Sequence, residues 1–409
     1  MVRHIRLSDT TRLLISLYAP AMVMSLGQGM VVPTIPKLAG AFDVSPGLAA
    51  QLVTAGMLGR VIAGIPAGHL LDRYGRRPIL LAGPIIVAAA SALTAIAPSF
   101  AVLLGAQFFA GLGVAAWQVA REVTVVDVVR PEQRGRMISG FHGMNSVGIA
   151  IGPVLGGIVT DAVGFRAVFW AYALIACFTF AATIHIPETS RARPAGDQRM
   201  AAIGRLSEVD PYFRTTYVVL VINTFVAMMR GTLITSLIPL YVGFQLGHTS
   251  TEIGSWFGVY GLANMLMIAP TGMLLDTRGR KAVVMPSAYL ATAVFLAFPL
   301  ATGAASLSAL AVLCGVSSGL ALGSMATYTY DVIPEHARAR LQALRRLFGD
   351  IGSVLGPAAA GTIADAVSPS AAFWVFVPLQ LVSGLLITFV ARESLRRVNP
   401  AVESLPPRP

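Results

Sequence analysis

The chain has 409 residues, of which 55% are hydrophobic and only 12% are charged, and its mean hydropathy is +0.72. Soluble domains carry about 25% charged residues, and a much smaller share cannot cover a water-facing surface without large apolar patches. The composition therefore predicts a chain whose apolar surface faces lipid. It excludes a soluble enzyme, a nucleic-acid-binding protein and a disordered scaffold.

Twelve apolar stretches are long enough to cross a bilayer, which takes about 20 residues in a helix. They cover residues 13–35, 46–70, 79–97, 100–126, 138–160, 167–186, 215–240, 253–275, 282–301, 305–329, 341–363 and 371–391. None alternates at the period of two that a membrane β-barrel requires, so all are predicted to be helices. The basic N-terminus shows no small-residue cleavage motif, and the first stretch is predicted to be an uncleaved span.

The longest polar interval falls at the midpoint of the chain. We therefore predict an N-terminal six-helix bundle over residues 1–186, a cytoplasmic linker over 187–214, and a C-terminal six-helix bundle with a short cytoplasmic tail over 215–409. The predicted fold class is an all-α membrane protein.

The charges predict how the spans are oriented. The chain has 30 Lys and Arg against 19 Asp and Glu. If both termini lie in the cytoplasm, 25 basic residues fall on the cytoplasmic side, two fall outside (Lys37 and Arg166) and three lie within spans (Arg60, Arg121 and Arg230). This bias follows the positive-inside rule, so the net charge of +11 indicates topology rather than nucleic-acid binding. Short outer loops and the absence of a disulfide pattern for Cys177 and Cys314 favour a bacterial inner membrane.

An internal repeat relates the two halves of the chain. A shift of 204 residues superimposes Gly68 on Gly272, Asp72 on Asp276, Arg76 on Arg280, Asp127 on Asp331, Gly152 on Gly356, and Asp161 on Asp365. Because each unit has an even number of spans, the two units share one orientation and are related by an axis along the membrane normal. A substrate path is expected between such units.

The loop after the second span reads GHLLDRYGRRP, and the loop after the eighth reads GMLLDTRGRK. These loops resemble the signature G-x-x-x-D-(R/K)-x-G-R-(R/K) of the major facilitator superfamily, with Thr277 as the one departure. A carboxylate here can pair with an arginine and with a helix N-terminus. The resemblance implies a cluster that latches the outward-facing state, whereas simple positive-inside anchoring is the alternative. The predicted gating residues in these clusters are Asp72, Arg73, Arg76, Asp127, Asp276, Arg280 and Asp331.

The fifth span contains GIAIGPVLGG, residues 148–157. It resembles a signature of twelve-span drug:proton antiporters, and the eleventh span repeats it loosely. Gly148 and Gly152 allow another helix to approach closely and Pro153 kinks the span, so these three residues are also gating candidates. Ordinary glycine packing is the alternative. The chain departs from that family at Gln107, where an arginine is usual, and its first span has no acid; both differences weaken the prediction of a multidrug cation exporter.

Ionisable residues inside the spans normally face a cavity or a partner. Arg60, Arg230 and Asp350 are predicted near mid-membrane. In the superfamily arrangement Asp350 would pair with Arg230, with Arg60, or with each in turn, which suggests a protonation switch. Asp350 is therefore the first proton-coupling candidate and Glu122 the second, and a static ion pair is the alternative.

Basic residues outnumber acids in the spans, which favours an anionic or zwitterionic solute. The candidate substrate and cavity residues are Arg60, Arg230, Gln28, Trp117, Gln118, Arg121, Asn145, Asn223, Asn264 and Tyr328.

The chain has no phosphate-binding loop, and we identify no nucleophile elbow at a strand-to-helix turn, no metalloprotease helix and no aspartyl dyad. It is predicted to be no enzyme and to use no cofactor or metal. We expect a monomeric secondary transporter in the bilayer that moves a small molecule by alternating access, with proton-coupled export as the first interpretation. The alternatives are a proton-coupled importer of an organic anion and a non-transporting receptor.

Overall fold

A computed structural model describes residues 7–128, 134–186, 205–321 and 323–395, with the backbone alone at 7–17, 65, 67–69, 72, 126–128, 134–142 and 339. These residues form helices and no β-strand. The first half contains α1 (Leu7–Met30), α2 (Ile35–Phe42), α3 (Pro46–Tyr74), α4 (Arg76–Ala95), α5 (Phe100–Val128), α6 (Arg134–Ala162) and α7 (Phe165–Thr183). The second half contains α8 (Arg214–Ile238), α9 (Ser250–Leu266), α10 (Ile268–Arg278), α11 (Lys281–Ala297), α12 (Ala304–Ala321), α13 (Ser324–Val332), α14 (Arg338–Ala366) and α15 (Pro369–Phe389).

Eleven helical segments within the described residues are long and apolar enough to cross a membrane. Together with α1 they correspond to the twelve predicted spans. The chain is thus an all-α, multi-pass membrane protein. Of the predicted linker, residues 187–204 lie outside the described part, and a 3₁₀ turn at Leu206–Glu208 leads towards α8.

Two predicted spans are interrupted, and one short helix was not predicted. The eighth span breaks after Leu266 because Pro270 has no N–H to donate to the Leu266 carbonyl. The tenth span breaks before Gly323, whose φ of 77° is a conformation that glycine adopts readily. The short α2 follows a 3₁₀ turn at Val32–Thr34 and was missed because eight residues are too few to span a bilayer.

The two halves repeat the same internal packing. In the first half α1 packs on α6 and α3 on α5, and in the second α8 packs on α14 and α9 on α12. Close approach depends on glycine: a Cβ at Gly152 would collide with the Leu26 carbonyl, and one at Gly352 with the Phe225 carbonyl. These positions explain why the glycine motif occurs in corresponding spans of both halves.

Two helix pairs form most of the contact between the halves, namely α6 with α9 and α3 with α14, and α3 also touches α8. The α6–α9 pair is lined by three glycines of α9, at positions 254, 258 and 261, each against an atom of residues 150–154. The α3–α14 pair brings Gly47 against the Gly361 carbonyl. We call the end of the molecule with Ser45, Asp161, Ser250 and Asp365 the distal face, and the end with Arg73, Arg76, Arg280 and Lys281 the basic face.

Candidate functional site

A cavity of about 140 Å³ lies between the halves at the depth of the middle of α3. The first half supplies nearly all of its wall, and Thr235 of α8 is the contribution of the second half. Its polar or charged lining residues are Gln28, Arg60, Gln107, Tyr172 and Thr235. The cavity therefore combines one cation, four neutral polar groups and an otherwise apolar wall.

Arg60 is the charged group of this cavity. It is the central residue of the 29-residue α3, about 21 Å from either end at 1.5 Å per residue. The described ion pairs lie at the two faces and none includes Arg60. Tyr172 is the titratable group that interacts with it electrostatically. The structure thus places this predicted residue where a solute between the halves would meet it.

The cavity wall around Arg60 depends on close helix packing. A Cβ at Gly59 would collide with the Phe108 carbonyl, and one at Gly111 with the Gly56 carbonyl. The α3 and α5 backbones therefore touch directly beside the cavity. Gln107, one turn before Gly111 on α5, donates through Nε2 to Thr94 Oγ1 at 3.3 Å. Sequence reasoning noted Gln107 only as a departure from a family pattern and did not select Tyr172.

Arg230 occupies a separate place in the second half. Its Nη1 donates to Ser317 Oγ at 3.3 Å, and it lines a cavity of only about 10 Å³. Asn223 lines the same small cavity and donates through Nδ2 to Ser383 Oγ at 2.6 Å. Among the described residues, Arg230 forms no ion pair. The small cavity beside it has partly polar walls, is about the size of one water molecule and lies within the second half.

Asp350 pairs with neither arginine in this conformation. It lies half-buried on α14, twelve residues after Arg338, and Arg346 is its charged neighbour. The pairing predicted between Asp350 and Arg60 or Arg230 is not formed among the described residues. Glu122 is exposed on α5, next to the buried Arg121.

Of the remaining predicted cavity residues, two are buried in the packed interior and three are partly buried. Trp117 is 1% exposed, packs against Gly83 and does not line the central cavity in this conformation. Tyr328 is fully buried, its hydroxyl donates to the Arg392 carbonyl, and it does not line the cavity either. The other three, which are partly buried on α5, α6 and α9, do not line the central cavity: Gln118, Asn145 and Asn264.

Three of these candidate residues, namely Asn145, Trp117 and Asn264, contact polar or charged side chains. The Ser25 hydroxyl donates to Asn145 Oδ1, which ties α1 to α6. The Arg121 guanidinium lies 4.6 Å from the centroid of the Trp117 ring. Tyr260 lies beside Asn264. These contacts stay within one half each.

The predicted gating cluster of the second half is described in full. Arg280 donates through Nε to Asp331 Oδ2 at 2.7 Å and through Nη1 to the Leu275 carbonyl at 2.7 Å, while Asp276 lies 3.9 Å away. The Glu393 carboxylate accepts from the backbone N–H groups of Arg280 and Lys281 at the start of α11. All of these contacts lie within the second half.

The corresponding cluster of the first half is described only in part. Arg73 is exposed with its guanidinium 5.4 Å from the Tyr74 ring centroid, and Arg76 is partly buried. The side chains of Asp72 and Asp127 lie outside the described residues. Their repeat mates, Asp276 and Asp331, are therefore the only acids of this motif whose contacts the structure describes.

The predicted gating residues of the fifth span have two roles. Gly148 faces α1 within the first half, where a Cβ would collide with the Met22 carbonyl, and Gly152 packs likewise. Pro153 lies across the boundary between the halves, because its carbonyl touches Gly254 of α9. One helix thus packs on its own half and on the other half through different faces.

Two acids that were not predicted as site residues join the halves at the distal face. Asp161, at the end of α6, accepts from the Thr251 N–H at 2.7 Å, from the Thr251 hydroxyl at 2.7 Å and from the Ser250 N–H at 3.3 Å. These donors form the first turn of α9, whose positive dipole end favours a carboxylate. The contact therefore joins the end of α6 to the start of α9.

Asp365, at the end of α14, makes the repeat-related contact. It accepts from the Gly47 N–H at 2.7 Å and from the Ser45 hydroxyl at 2.6 Å, at the first turn of α3. Gly47 is the repeat mate of Thr251, so both carboxylates bind the same N–H of equivalent helices. The sequence repeat had already aligned Asp161 with Asp365, and that alignment was the available signal.

Comparison with known proteins agrees with this architecture. The Major Facilitator Superfamily profile matches residues 18–217 and 220–408. The probable transporter AQR1 of Saccharomyces cerevisiae is 30% identical over 169 residues, which are 41% of this chain and 29% of AQR1. The multidrug resistance protein MdtL of Shewanella oneidensis is 25% identical over 336 residues, which are 80% of this chain and 83% of MdtL. The chain thus spans less than a third of AQR1 and most of this MdtL.

A solved structure shares the fold over nearly the whole chain. The D-xylose-proton symporter has a TM-score of 0.76 and 15% sequence identity, and the match covers 94% of this chain and 98% of the symporter. At this identity the likeness concerns the fold. The family match, the repeated six-helix packing and the cavity between the halves lead to one conclusion: the chain belongs to the major facilitator superfamily, whose members are multi-pass membrane transporters and not enzymes.

Proposed function

We propose that this protein is a secondary active transporter that exports a small organic solute in exchange for protons. The observation that carries the proposal is the cavity around Arg60, which lies between two repeat-related halves at the middle of α3. A site at this depth between two units suits alternating access, in which the halves rock about a fixed binding site. The relatives named as multidrug proteins support export.

The contacts between the halves support an assignment of the conformation. Among the described residues, every hydrogen bond from one half to the other lies at the distal face, at Asp161 or Asp365. No such bond joins the halves at the described part of the basic face. A transporter closed at one face presents its site to the other, so we assign this conformation to the state facing the basic side.

We propose that the basic face lies in the cytoplasm of a bacterial cell, with both termini on that side of the inner membrane. The positive-inside rule supports this orientation. Single cysteines at Arg76, Arg280 and Arg166 test it in a background with Cys177 and Cys314 replaced. A membrane-impermeant maleimide added to intact cells is expected to label Arg166→Cys alone; labelling of either basic-face position would contradict the orientation.

Proton coupling is assigned to Asp350, with Glu122 as the second candidate. Asp350 is a half-buried carboxyl three turns into α14, and a single titrating acid of this kind can exchange between a proton and Arg346. Exposure to solvent on α5 makes Glu122 the weaker candidate. Reconstituted Asp350→Asn is expected to lose pH-driven exchange while retaining counterflow. The matched control is Glu335→Gln, an exposed acid of the basic face that pairs with Arg338 at 3.8 Å.

The transport test uses proteoliposomes with an imposed pH gradient and a panel of labelled solutes. Solute movement driven by an opposed proton gradient supports antiport, and movement with the protons supports the second candidate, a proton-coupled importer of an organic anion. The positive charge of Arg60 in the cavity favours an organic anion as the solute over a sugar or a peptide. If no solute class moves in response to the proton gradient, both the antiporter and the importer are contradicted. A non-transporting receptor would then be the remaining function.

A further inference from the structure

The central cavity is lined by one cation, Arg60, and by no carboxylate of the residues that the structure describes. Among the described residues, Arg60 takes part in no ion pair and no hydrogen bond, although it lies at the centre of a membrane-spanning helix. No aspartate or glutamate lines the cavity that it faces. Arg230, the other arginine near mid-membrane, is bound to Ser317 instead. The two arginines therefore differ: Arg60 lines the central cavity and has no described hydrogen-bond acceptor, whereas Arg230 is hydrogen-bonded within its own half.

A guanidinium does not lose its proton in proteins, so Arg60 stays charged even at this depth. Placing such a charge in the middle of a membrane is unfavourable unless a partner or a water-filled cavity compensates it. The described part of the chain offers no carboxylate at this position. The missing partner is therefore expected to come from outside the chain.

The geometry of the side chain restricts that partner. Guanidinium presents parallel N–H donors that match a carboxylate in a two-point contact. Tyr172, which interacts with Arg60, supplies a hydroxyl in the same wall. Gln28 and Gln107 add neutral donors and acceptors. This set favours an anion over a cation, because the cavity contains one full positive charge and no negative one.

The rest of the wall restricts the body of the ligand. The other lining side chains are mostly apolar, and they include Ile35, Leu52, Met57 and Val114. The volume of about 140 Å³ is below the range of roughly 300 to 1,000 Å³ that drug-sized ligands occupy. The cavity therefore suits a small molecule with one charged end and a short apolar body.

We infer that the transported solute is a small monocarboxylate with an apolar tail, whose carboxylate binds Arg60 and whose tail lies along α1, α3 and α5. This inference rests on the proposed transport function and names its substrate class. It assigns Arg60 as the specificity-determining residue. Tyr172 acts as the neighbouring hydrogen-bond donor, and Gln107, held by Thr94, acts as a polar wall residue.

The test is a binding measurement on the purified full-length protein, which does not depend on transport. Isothermal titration compares three probes of matched tail length, namely hexanoate, hexylammonium and hexanol. We expect hexanoate to bind and the other two to bind at least tenfold more weakly. Equal or tighter binding of hexylammonium would overturn the inference, because a cavity with Arg60 as its one charge must reject a cation.

Variants of Arg60 separate charge from geometry. Arg60→Gln is expected to weaken hexanoate binding at least tenfold, and Arg60→Lys is expected to be intermediate because lysine keeps the charge but loses the two-point contact. Arg166→Gln, which changes an exposed arginine in the first turn of α7, is the matched control and should bind as the parent does. Unchanged binding by folded Arg60→Gln would overturn the assignment.

If Arg60→Gln does not fold, Tyr172→Phe replaces it, with an expected severalfold loss that is larger for hexanoate than for hexanol; equal losses for both probes would contradict the inference. The outcomes also distinguish this inference from the proposed function. Hexanoate bound through Arg60 without any gradient-driven movement would overturn transport alone. Driven transport of solutes that do not depend on Arg60 would overturn the carboxylate site alone.

Discussion

The distal and basic faces are built from the same kind of residue, a carboxylate near a helix N-terminus, but they use it differently. At the distal face Asp161 and Asp365 bind the first turns of helices in the opposite half. At the basic face Glu393 and Asp331 bind Arg280 and the start of α11 within one half. Contacts between the halves stabilise one conformation of the transporter relative to another. Contacts within a half stabilise the folded structure of that half. The two faces should therefore respond differently to the same change.

Removing both distal carboxylates is expected to have the largest effect on conformation. Each one contributes about 1 to 1.5 kcal/mol through partly exposed charge-assisted bonds, so Asp161→Ala with Asp365→Ala should shift the equilibrium between the two states roughly 30- to 160-fold. The readout is Thr235→Cys in the cavity, labelled by an impermeant maleimide from the distal side in a background with the two native cysteines replaced. An unchanged labelling rate would show that these carboxylates do not hold the distal face closed.

A side chain in the glycine-lined boundary should act in the same direction. A Cβ at Gly254 would collide with the Pro153 carbonyl across the halves, and overpacking of this kind costs about 1 to 3 kcal/mol. Gly254→Ala should therefore increase distal labelling of Thr235→Cys by roughly fivefold or more. Gly231→Ala is the control, because a Cβ there meets nothing within 4 Å; equal effects of the two changes would contradict the packing argument.

The two distal carboxylates should contribute separately and unequally. Asp161 accepts three hydrogen bonds and Asp365 accepts two. Asp161→Ala is therefore expected to increase distal labelling somewhat more than Asp365→Ala, each by about 5- to 13-fold. Because they lie on different helix pairs, their free energies should add within about 0.5 kcal/mol in a double-mutant cycle. A strongly non-additive cycle would mean that the halves do not close at two independent contacts.

The smallest conformational effect is expected at the basic face. Arg280→Ala removes a partly exposed contact to Asp331 within the second half, which should lower the free energy of unfolding by about 1 kcal/mol. Thermal unfolding in detergent measures that loss, while distal labelling of Thr235→Cys should stay at the parent rate. A large increase in distal labelling would show that Arg280 controls the opposite face. That result would contradict the separate roles of the two faces.

Sequence patterns predicted the architecture because a bilayer requires long apolar helices, and those leave a strong signal. A different rule, that an ionisable residue inside a span faces a cavity or a partner, selected Arg60 as a cavity candidate and as a partner for Asp350. The break after Leu266 follows from Pro270, but hydropathy alone does not detect it. The eight residues of α2 were too short for any rule based on spanning length.

The rotation of each helix was harder to predict than its position. Spans that are apolar on all sides do not indicate which side faces the core, so Trp117 and Tyr328 were expected in the cavity but lie in the packed interior. Asp350 and Arg230 were paired from helix adjacency alone, yet their side chains point to different neighbours. The Asp161 and Asp365 contacts join residues about 90 and 320 positions apart, a relation that no local pattern contains.

The paired carboxylates at the distal face also make the boundary self-complementary. Position 161 binds position 251, and its mate at 365 binds 47, the mate of 251. A surface that binds its own copy in this reciprocal way is the kind that closes a twofold dimer. An ancestral six-helix chain with this one acid and this one helix start would already have assembled with itself, and fusion of the two copies into one polypeptide would have preserved both contacts.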